Sequence, residues 1–409
     1  VIYVLVAALA FVGTAAAATL LDINGTIKDG EVKIIPQKGQ KEPKLIDPNA
    51  GKPIELLVMG QDTRDGADNA SIGGGDTSEG SHQADTTMVV QISADRSYIN
   101  LVSIPRDSLV DAPSCETSKG TISAQYNVMF NSIFANGYTT GDDLASAASC
   151  TVNAVNSLTG LNIQNFIVVD FNGLKDMINA IGGVKICIPS DVKDPYTGLD
   201  LTKGLHQLDG LAATQYARTR YSLGDGSDVQ RTTRQQYLIK QLLQQALDKN
   251  IFTHTSELYQ LAKSALKSLN ISQGLADTAT LAGLAMSLKN LNVSHMYTRT
   301  LPVVQAPSDP NRVVWDSSAD ERGPKRPKGK PFGEQPPQDS SASDSAKTNN
   351  NSSNTTNQPQ DSTPSDQDNA QRTPPNTRLP KGRGKTRTAK KTKTPTGAKN
   401  TRKTTQEKN

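Results

Sequence analysis

The sequence predicts an α/β domain, a mixed central β-sheet with helices on both faces. Two observations predict it. Short Val/Ile-rich runs of the kind that fill buried strands alternate with longer stretches of helical period. The polar residues best suited to chemistry, Asp62, Asp85 and Arg106, fall at the ends of three of those runs, where open α/β sheets form their sites. The pattern occupies residues 52–305, roughly 250 residues, enough for one large core.

In chain order, residues 54–59 read as a buried strand and the Gly/Ser/Asp-rich stretch 65–84 as a loop. Residues 84–92 and 98–104 are the next two strands, joined as a hairpin by the turn Ala94-Asp95-Arg96. Helical period covers 125–135 and 141–158. A strand is expected over 166–171, a helix over 172–181 and a strand over 184–188. A short helix follows over 210–217. Ser227 or Asp228 then N-caps a longer helix reaching about Leu247. Two helices over 256–290 and a last strand over 296–304 complete the domain.

The flanks differ in composition. Residues 1–21 carry no charge and match the roughly 20 residues that cross a membrane. The Ala-rich end of that run also resembles a signal-peptide cleavage region. The polar segment and large domain behind it favour an uncleaved transmembrane anchor. Neither a methionine nor a basic flank precedes the run, so the first residues are expected to be missing, or a valine codon to start the protein. Orientation cannot be read from flanking charge. Residues 22–51 are polar and read as a stalk. Residues 306–409 are dominated by Pro, Ser, Asn, Gln, Asp and Thr, which cannot bury enough surface to offset ordering entropy, so a disordered tail is expected. Its end, 378–408, carries about +11 against +4 for the whole 409-residue chain, so the remainder is acidic. Behind an exported domain such a tail meets anionic wall polymer or lipid headgroups, or only solvent. A nucleic-acid partner would need cytoplasmic placement, which the anchor opposes, and none is expected.

Of the three cysteines, Cys115 lies in a Pro/Ser-rich loop and Cys150 in a following helix, and these two are expected to form a disulfide. Cys187 alternates with Lys185 in a strand. No cysteine pair has zinc-like spacing, and the four histidines are scattered.

Four arginines crowd residues 216–236, with Gln235 beside the last of them. Arg218 and Arg220, two apart, share a side if extended. Arg231, Arg234 and Gln235 share one face of the following helix. A cation in a first helical turn opposes the helix dipole, and becomes sensible where an anion is held. Guanidinium forks fit phosphate oxygens bidentately. Surface ion pairs with Asp209, Asp225 and Asp228 are the plainer alternative. Asp62 and Asp85 add two hard oxygen donors. Mg²⁺ takes one or two carboxylates and completes its shell with water and substrate phosphates. Singly, Asp62 is a turn former and Asp85 a loop-end cap; together with the arginines they make a metal and polyphosphate site.

These motifs occur in one order: Leu57-Val-Met-Gly-Gln-Asp-Thr-Arg64, Ala84-Asp-Thr-Thr-Met-Val-Val90, Val102-Ser-Ile-Pro-Arg-Asp107, Asp170-Phe-Asn-Gly173, Ile181-Gly-Gly-Val184, and Leu208-Asp-Gly through Gln236. Together they resemble the LytR-CpsA-Psr family of bacterial cell-wall glycopolymer ligases. The resemblance implies a three-layer fold whose sheet and helices enclose a lipid tunnel. It implies transfer of a teichoic acid, arabinogalactan or capsule-type polymer from a polyprenyl-pyrophosphate carrier to a peptidoglycan hydroxyl. It also implies a single-pass membrane protein with an extracytoplasmic catalytic domain. By motif, Asp62 and Asp85 look like Mg²⁺ ligands. Arg64, Arg106, Arg218, Arg220, Arg231, Arg234 and Gln235 look like the pyrophosphate shell, with Asp62, Asp85, Arg106 and Arg231 at the reacting centre. The general base is open: an aspartate near the metal, ahead of Asp107 or Asp228. The loop between Asp62 and Asp85 is longer than the family's usual one. A hydrolase using water at the same site and a non-catalytic assembly factor are the competing functions.

Overall fold

The strand runs assemble into a mixed sheet in which like faces bury like faces. The computed structural model describes residues 21–38, 40, 44–63, 69, 72, 82–220, 222–223, 226, 228–248, 263–289 and 291–316. The chain divides into two units, Val1–Gln338 and Asp339–Asn409, and the second lies outside the described residues.

The first strands are β1 (Glu31–Val32), β2 (Ile54–Asp62), β3 (Gln83–Ile92) and β4 (Ile99–Ile104). After them come β5 (Leu109–Ala112), β6 (Cys115–Glu116), β7 (Thr121–Ile122) and β8 (Gln125–Met129). Two helices follow, α1 (Phe130–Gly141) and α2 (Leu144–Thr159), then β9 (Asn165–Val169) and α3 (Phe171–Ala180). Four short strands come next: β10 (Val184–Ile188), β11 (Val192–Asp194), β12 (Leu199–Leu201) and β13 (Gly204–Leu208). The remainder is α4 (Gly210–Arg218), α5 (Asp228–Asp248), β14 (Asn270–Ser272), α6 (Thr278–Leu288), β15 (Met296–Thr300), β16 (Val303–Ala306) and β17 (Asp309–Trp315). The central sheet has seven strands in the order β1-β14-β9-β2-β3-β4-β15. β2 runs parallel to β9 and antiparallel to β3, and β4 pairs antiparallel with β3 and parallel with β15.

Alternation along the strands decides which helix covers which face. Leu57 and Met59 of β2 and Phe166 and Val168 of β9 pack with Phe130 and Phe134 of α1 and Ala147 and Ala148 of α2. Their neighbours Leu56, Met88 and Leu101 turn the other way, onto Ile239 and Leu243 of α5 and Leu281 and Leu284 of α6. The expected helices on both faces are therefore present. α2 and α3 each begin where an aspartate caps: the Asp143 carboxylate accepts from the Ser146 amide, and Asp170 from Gly173. α1 and α2 cross at Gly137, where a Cβ would stand 2.8 Å from Ala147 Cα.

Several expected boundaries move. Residues 22–51 are not a free stalk. Residues 21–29 are helical, Ile27 is fully buried in the second core, and β1 joins the sheet beside β14. Sparse apolar anchors in a polar stretch account for the misreading. The tail does not begin at 306, because β16 and β17 form a hairpin and Trp315 packs on the first core. Residues 125–135 are not one helix: β8 pairs with β5, and α1 starts only at Phe130. The stretch expected to hold two helices contains the strand β14 between a helical stretch at 263–267 and α6. β10 forms as expected but pairs with β13 outside the central sheet. The expected anchor lies, apart from Leu21, outside the described residues. Among the described residues no helix is long and apolar enough to cross a membrane.

Candidate active site

The carboxyl ends of β2, β9 and β4 and the start of antiparallel β3 meet at one edge of the sheet. This brings Asp62, Asp85, Arg106 and Asp170 to one place. β2 and β3 change register there: Gly60 pairs with Thr86 and Gln61 with Ala84, so Asp85 is the extra residue of a bulge. Bulges re-aim side chains at functional edges. Here the bulge lets both Asp85 and Thr86 line the same cavity. Gly60 sits tightly opposite, where an added Cβ would stand 3.0 Å from that of Thr86.

The cavity holds about 550 Å³ between the sheet, α3, α4 and α5. Its mouth is charged, with Asp62, Asp85, Arg106, Arg218, Arg220 and Arg231 among the lining residues. Its body is apolar and includes Val58, Met88, Leu101, Ile167, Leu174, Met177, Leu238 and Leu242. Those apolar residues come from six elements, and no local motif marks them.

A network of opposite charges organises the mouth. Arg106 Nη1 donates to Asp85 Oδ2, and its Nε lies 3.5 Å from Asp228 Oδ1 and 3.8 Å from Asp107 Oδ2. Burial works against this guanidinium's charge. Asp85, Asp228 and Asp107 outweigh it and hold its pKa above the ordinary arginine value. Arg231, 6% exposed in its side chain, donates Nη2 to Asp228 Oδ1 at 2.5 Å and to the Asp85 carbonyl at 3.0 Å. Its Nη1 stands 3.8 Å from Asp85 Oδ2. The first-turn cation is thus offset by Asp228 in its own turn. Asn131, at the start of α1, donates to Gln83 Oε1 at 2.9 Å and to Asp85 Oδ1 at 3.4 Å.

The second arginine pair divides. Arg218 stacks its guanidinium 4.4 Å over the Phe171 ring and donates to the Ile72 carbonyl. Arg220 lines the cavity beside it. Arg234, which the sequence puts in the anion shell, is absent from the cavity lining. Its guanidinium donates to the Leu223 and Thr219 carbonyls, bracing the segment between α4 and α5. One residue along the helix, Gln235 does line the cavity. It accepts from Thr86 Oγ1 at 3.0 Å and donates to the Ala217 carbonyl at 3.2 Å. Arg64 lies outside the described residues. Cys115 and Cys150 form a disulfide with 5.5 Å between their Cα atoms, and Cys187 is free and exposed.

Sequence reasoning undervalued Asp228 and missed Asn131, Gln61 and Thr86. An acid three residues before Arg231 was the available signal for Asp228. For Asn131 there was none, because only packing of α1 on β3 brings it to Asp85.

The LytR_cpsA_psr family model matches residues 19–322. The cell wall biosynthesis protein LcpA of Corynebacterium glutamicum is 28% identical over 264 residues, covering 61% of this chain and 50% of its own. The polyisoprenyl-teichoic acid–peptidoglycan teichoic acid transferase TagU of Enterococcus faecalis is 26% identical over 220 residues, covering 54% of this chain and 62% of its own. The chain therefore spans about half to three fifths of the length of these curated relatives. In fold it is similar to a crystal structure from Streptococcus agalactiae, with a TM-score of 0.52 at 20% identity, covering 67% of this chain and 85% of that one. With the match running through both cores and every lining residue of the cavity, the chain belongs to the LytR-CpsA-Psr family.

Proposed function

We propose that this protein is a transferase that moves a glycopolymer from a polyprenyl-pyrophosphate carrier to a peptidoglycan hydroxyl. One observation carries the reading: a single cavity joins a cationic mouth to an apolar body. Only an anionic amphiphile satisfies both halves. A soluble polyphosphate would leave the apolar walls unused, and a neutral lipid would leave the arginines unused. The names of the corynebacterial and enterococcal relatives, both concerned with wall assembly, support it.

The chemistry needs little covalent help. The acceptor hydroxyl attacks the phosphorus that bears the sugar, and the bond from that phosphorus to the oxygen of polyprenyl phosphate breaks. Polyprenyl phosphate leaves, a phosphodiester remains, and the hydroxyl proton passes to a base or water. Arg106, Arg218, Arg220 and Arg231 would orient the two phosphates and stabilise the charge growing on their oxygens. Asp62 and Asp85 suit a hard divalent cation, since both carboxylates line the cavity beside the arginines. No group of three or more metal-ligating side chains occurs among the described residues, so phosphate oxygens and water would complete the shell. Mg²⁺ held there would neutralise charge on the transferring phosphate.

We assign the domain to the outer side of the membrane, anchored through residues 1–21. The disulfide supports an oxidising compartment. Lipid extracted from the purified protein and identified by mass spectrometry should contain polyprenyl phosphates. With carrier-linked polymer supplied, product should be covalently bound to peptidoglycan. Release of free phosphorylated polymer whether or not peptidoglycan is present would make the protein a hydrolase. No turnover and no bound lipid would make it a scaffold.

A further inference from the structure

Residues past 305 read from sequence as tail, yet one of them reaches the charge network. β17 lays Val313 against Ser108 as a parallel bridge, and the Val313 amide donates to the Asp107 carbonyl at 3.3 Å. Trp315 is held on the first core, and the Asp316 amide donates to the Pro302 carbonyl at 3.0 Å. β17 is therefore held to the domain at Val313 and Trp315, and the base of the hairpin is closed at Asp316. This fixes Arg312, whose Nη1 lies 3.4 Å from Asp107 Oδ1. The other oxygen of the same carboxylate, Oδ2, lies 3.8 Å from Arg106 Nε. Asp107 thus sits between a cavity-lining guanidinium and a guanidinium from the C-terminal hairpin.

Counting charge explains why this matters. Three carboxylates, Asp85, Asp107 and Asp228, crowd Arg106 and Arg231. Two cations facing three anions leave this corner one negative charge in excess, beside a mouth whose lining adds Arg218 and Arg220. Arg312 supplies the third cation. It lies against the other oxygen of Asp107 from Arg106, outside the cavity lining, and draws that carboxylate's charge away from Arg106. Arg106 then keeps its Nη1 on Asp85, facing the mouth. Asp309, 3.9 Å from the Arg312 Nε and more exposed than it (43% against 33%), offsets part of that charge from within the hairpin.

We propose that Arg312 is a positioning residue for the anion site, acting through Asp107 on Arg106. This rests on the pyrophosphate reading of the cavity, so the test measures binding rather than transfer. Inorganic pyrophosphate is titrated by calorimetry into the full chain and its variants. Arg312→Ala should bind about tenfold more weakly, because Asp107 swings its full charge onto Arg106. Arg312→Lys should recover part of the loss. Asp107→Asn should bind at least as tightly as wild type, and adding Arg312→Ala to it should change affinity less than about twofold. A merely structural arginine would weaken both backgrounds equally, and that result overturns the proposal. So does an Arg312→Ala variant that binds like wild type. A wild-type chain that does not bind pyrophosphate overturns the reading of the cavity itself, and the proposal falls with it.

Discussion

At the mouth of the cavity each arginine is held differently, and the differences predict different variant phenotypes. Arg218 and Arg220 line the cavity at the end of α4. Replacing either with Ala should remove about 2–4 kcal/mol of transition-state stabilisation, the scale of a lost charged donor. Transfer rates of both variants within twofold of wild type would exclude them from the pyrophosphate shell. A second residue-scale prediction concerns Tyr216, 4% exposed on the inner face of α4. Burial pushes its phenol from the ordinary value of 10.0 up to about 12; Arg234 opposes the shift, and Tyr237 and Cys187 add to it. The folded state holds this proton more tightly than the unfolded chain. The resulting stability is complete below about pH 10 and is lost as pH rises towards about 12, an effect of about 2–3 kcal/mol. Urea midpoints at about pH 9 and about pH 11 should show a drop that Tyr216→Phe largely removes. An equal drop in the variant would assign the alkaline loss to other groups.

Elements act here by bringing distant pieces of chain together. The disulfide ties β6 to α2 across a separation of 35 residues. Closing a loop of that length stabilises by about 3–4 kcal/mol on the chain-entropy account. Cys115→Ser with Cys150→Ser should lower unfolding free energy by about 2–4 kcal/mol in denaturant melts, and reductant should do the same to wild type. Peptide mapping that finds both thiols free, or Cys187 in the bridge, would remove the basis for this. The bulge at Asp85 is the other decisive local event. Strict alternation back from Val90 and Met88 would turn Asp85 away from Thr86 and towards the first core, where the bulge places Ala84 instead.

On the scale of the whole molecule, the site exists only where four strand ends and three helices converge. This governs the metal. Asp62 comes from β2 and Asp85 from β3, while Arg106 and Arg231 stand against Asp85. Bare Mg²⁺ would meet cations as well as acids there, and a bound pyrophosphate would bridge the two. Calorimetry should find weak Mg²⁺ binding to the free protein. Binding should be stronger with a polyprenyl-pyrophosphate analogue, and the analogue should gain affinity from Mg²⁺ by the same factor. Asp62→Ala or Asp85→Ala should abolish this coupling. Equal Mg²⁺ affinity with and without the analogue would refute the shared site.

The sequence by itself determined the alternating α/β pattern, the β3–β4 hairpin, the strand-end acids and the two clusters of arginine. Each of these is written in neighbouring residues: period, turn chemistry, or charge out of keeping with a core. It also marked the pairing of Cys115 with Cys150. Tertiary structure alone decided which of those residues face one cavity. It turned Arg234 onto backbone carbonyls while keeping Gln235, its neighbour, on the lining. It folded part of the supposed stalk into the second core through Ile27, and brought Arg312 of the supposed tail to Asp107. The apolar tunnel was equally hidden, because its walls look like ordinary core residues until the helices leave space beside them. The physical reason is common to all four. Composition and period report how a segment treats water, whereas a site is a set of contacts between segments, and only packing fixes those.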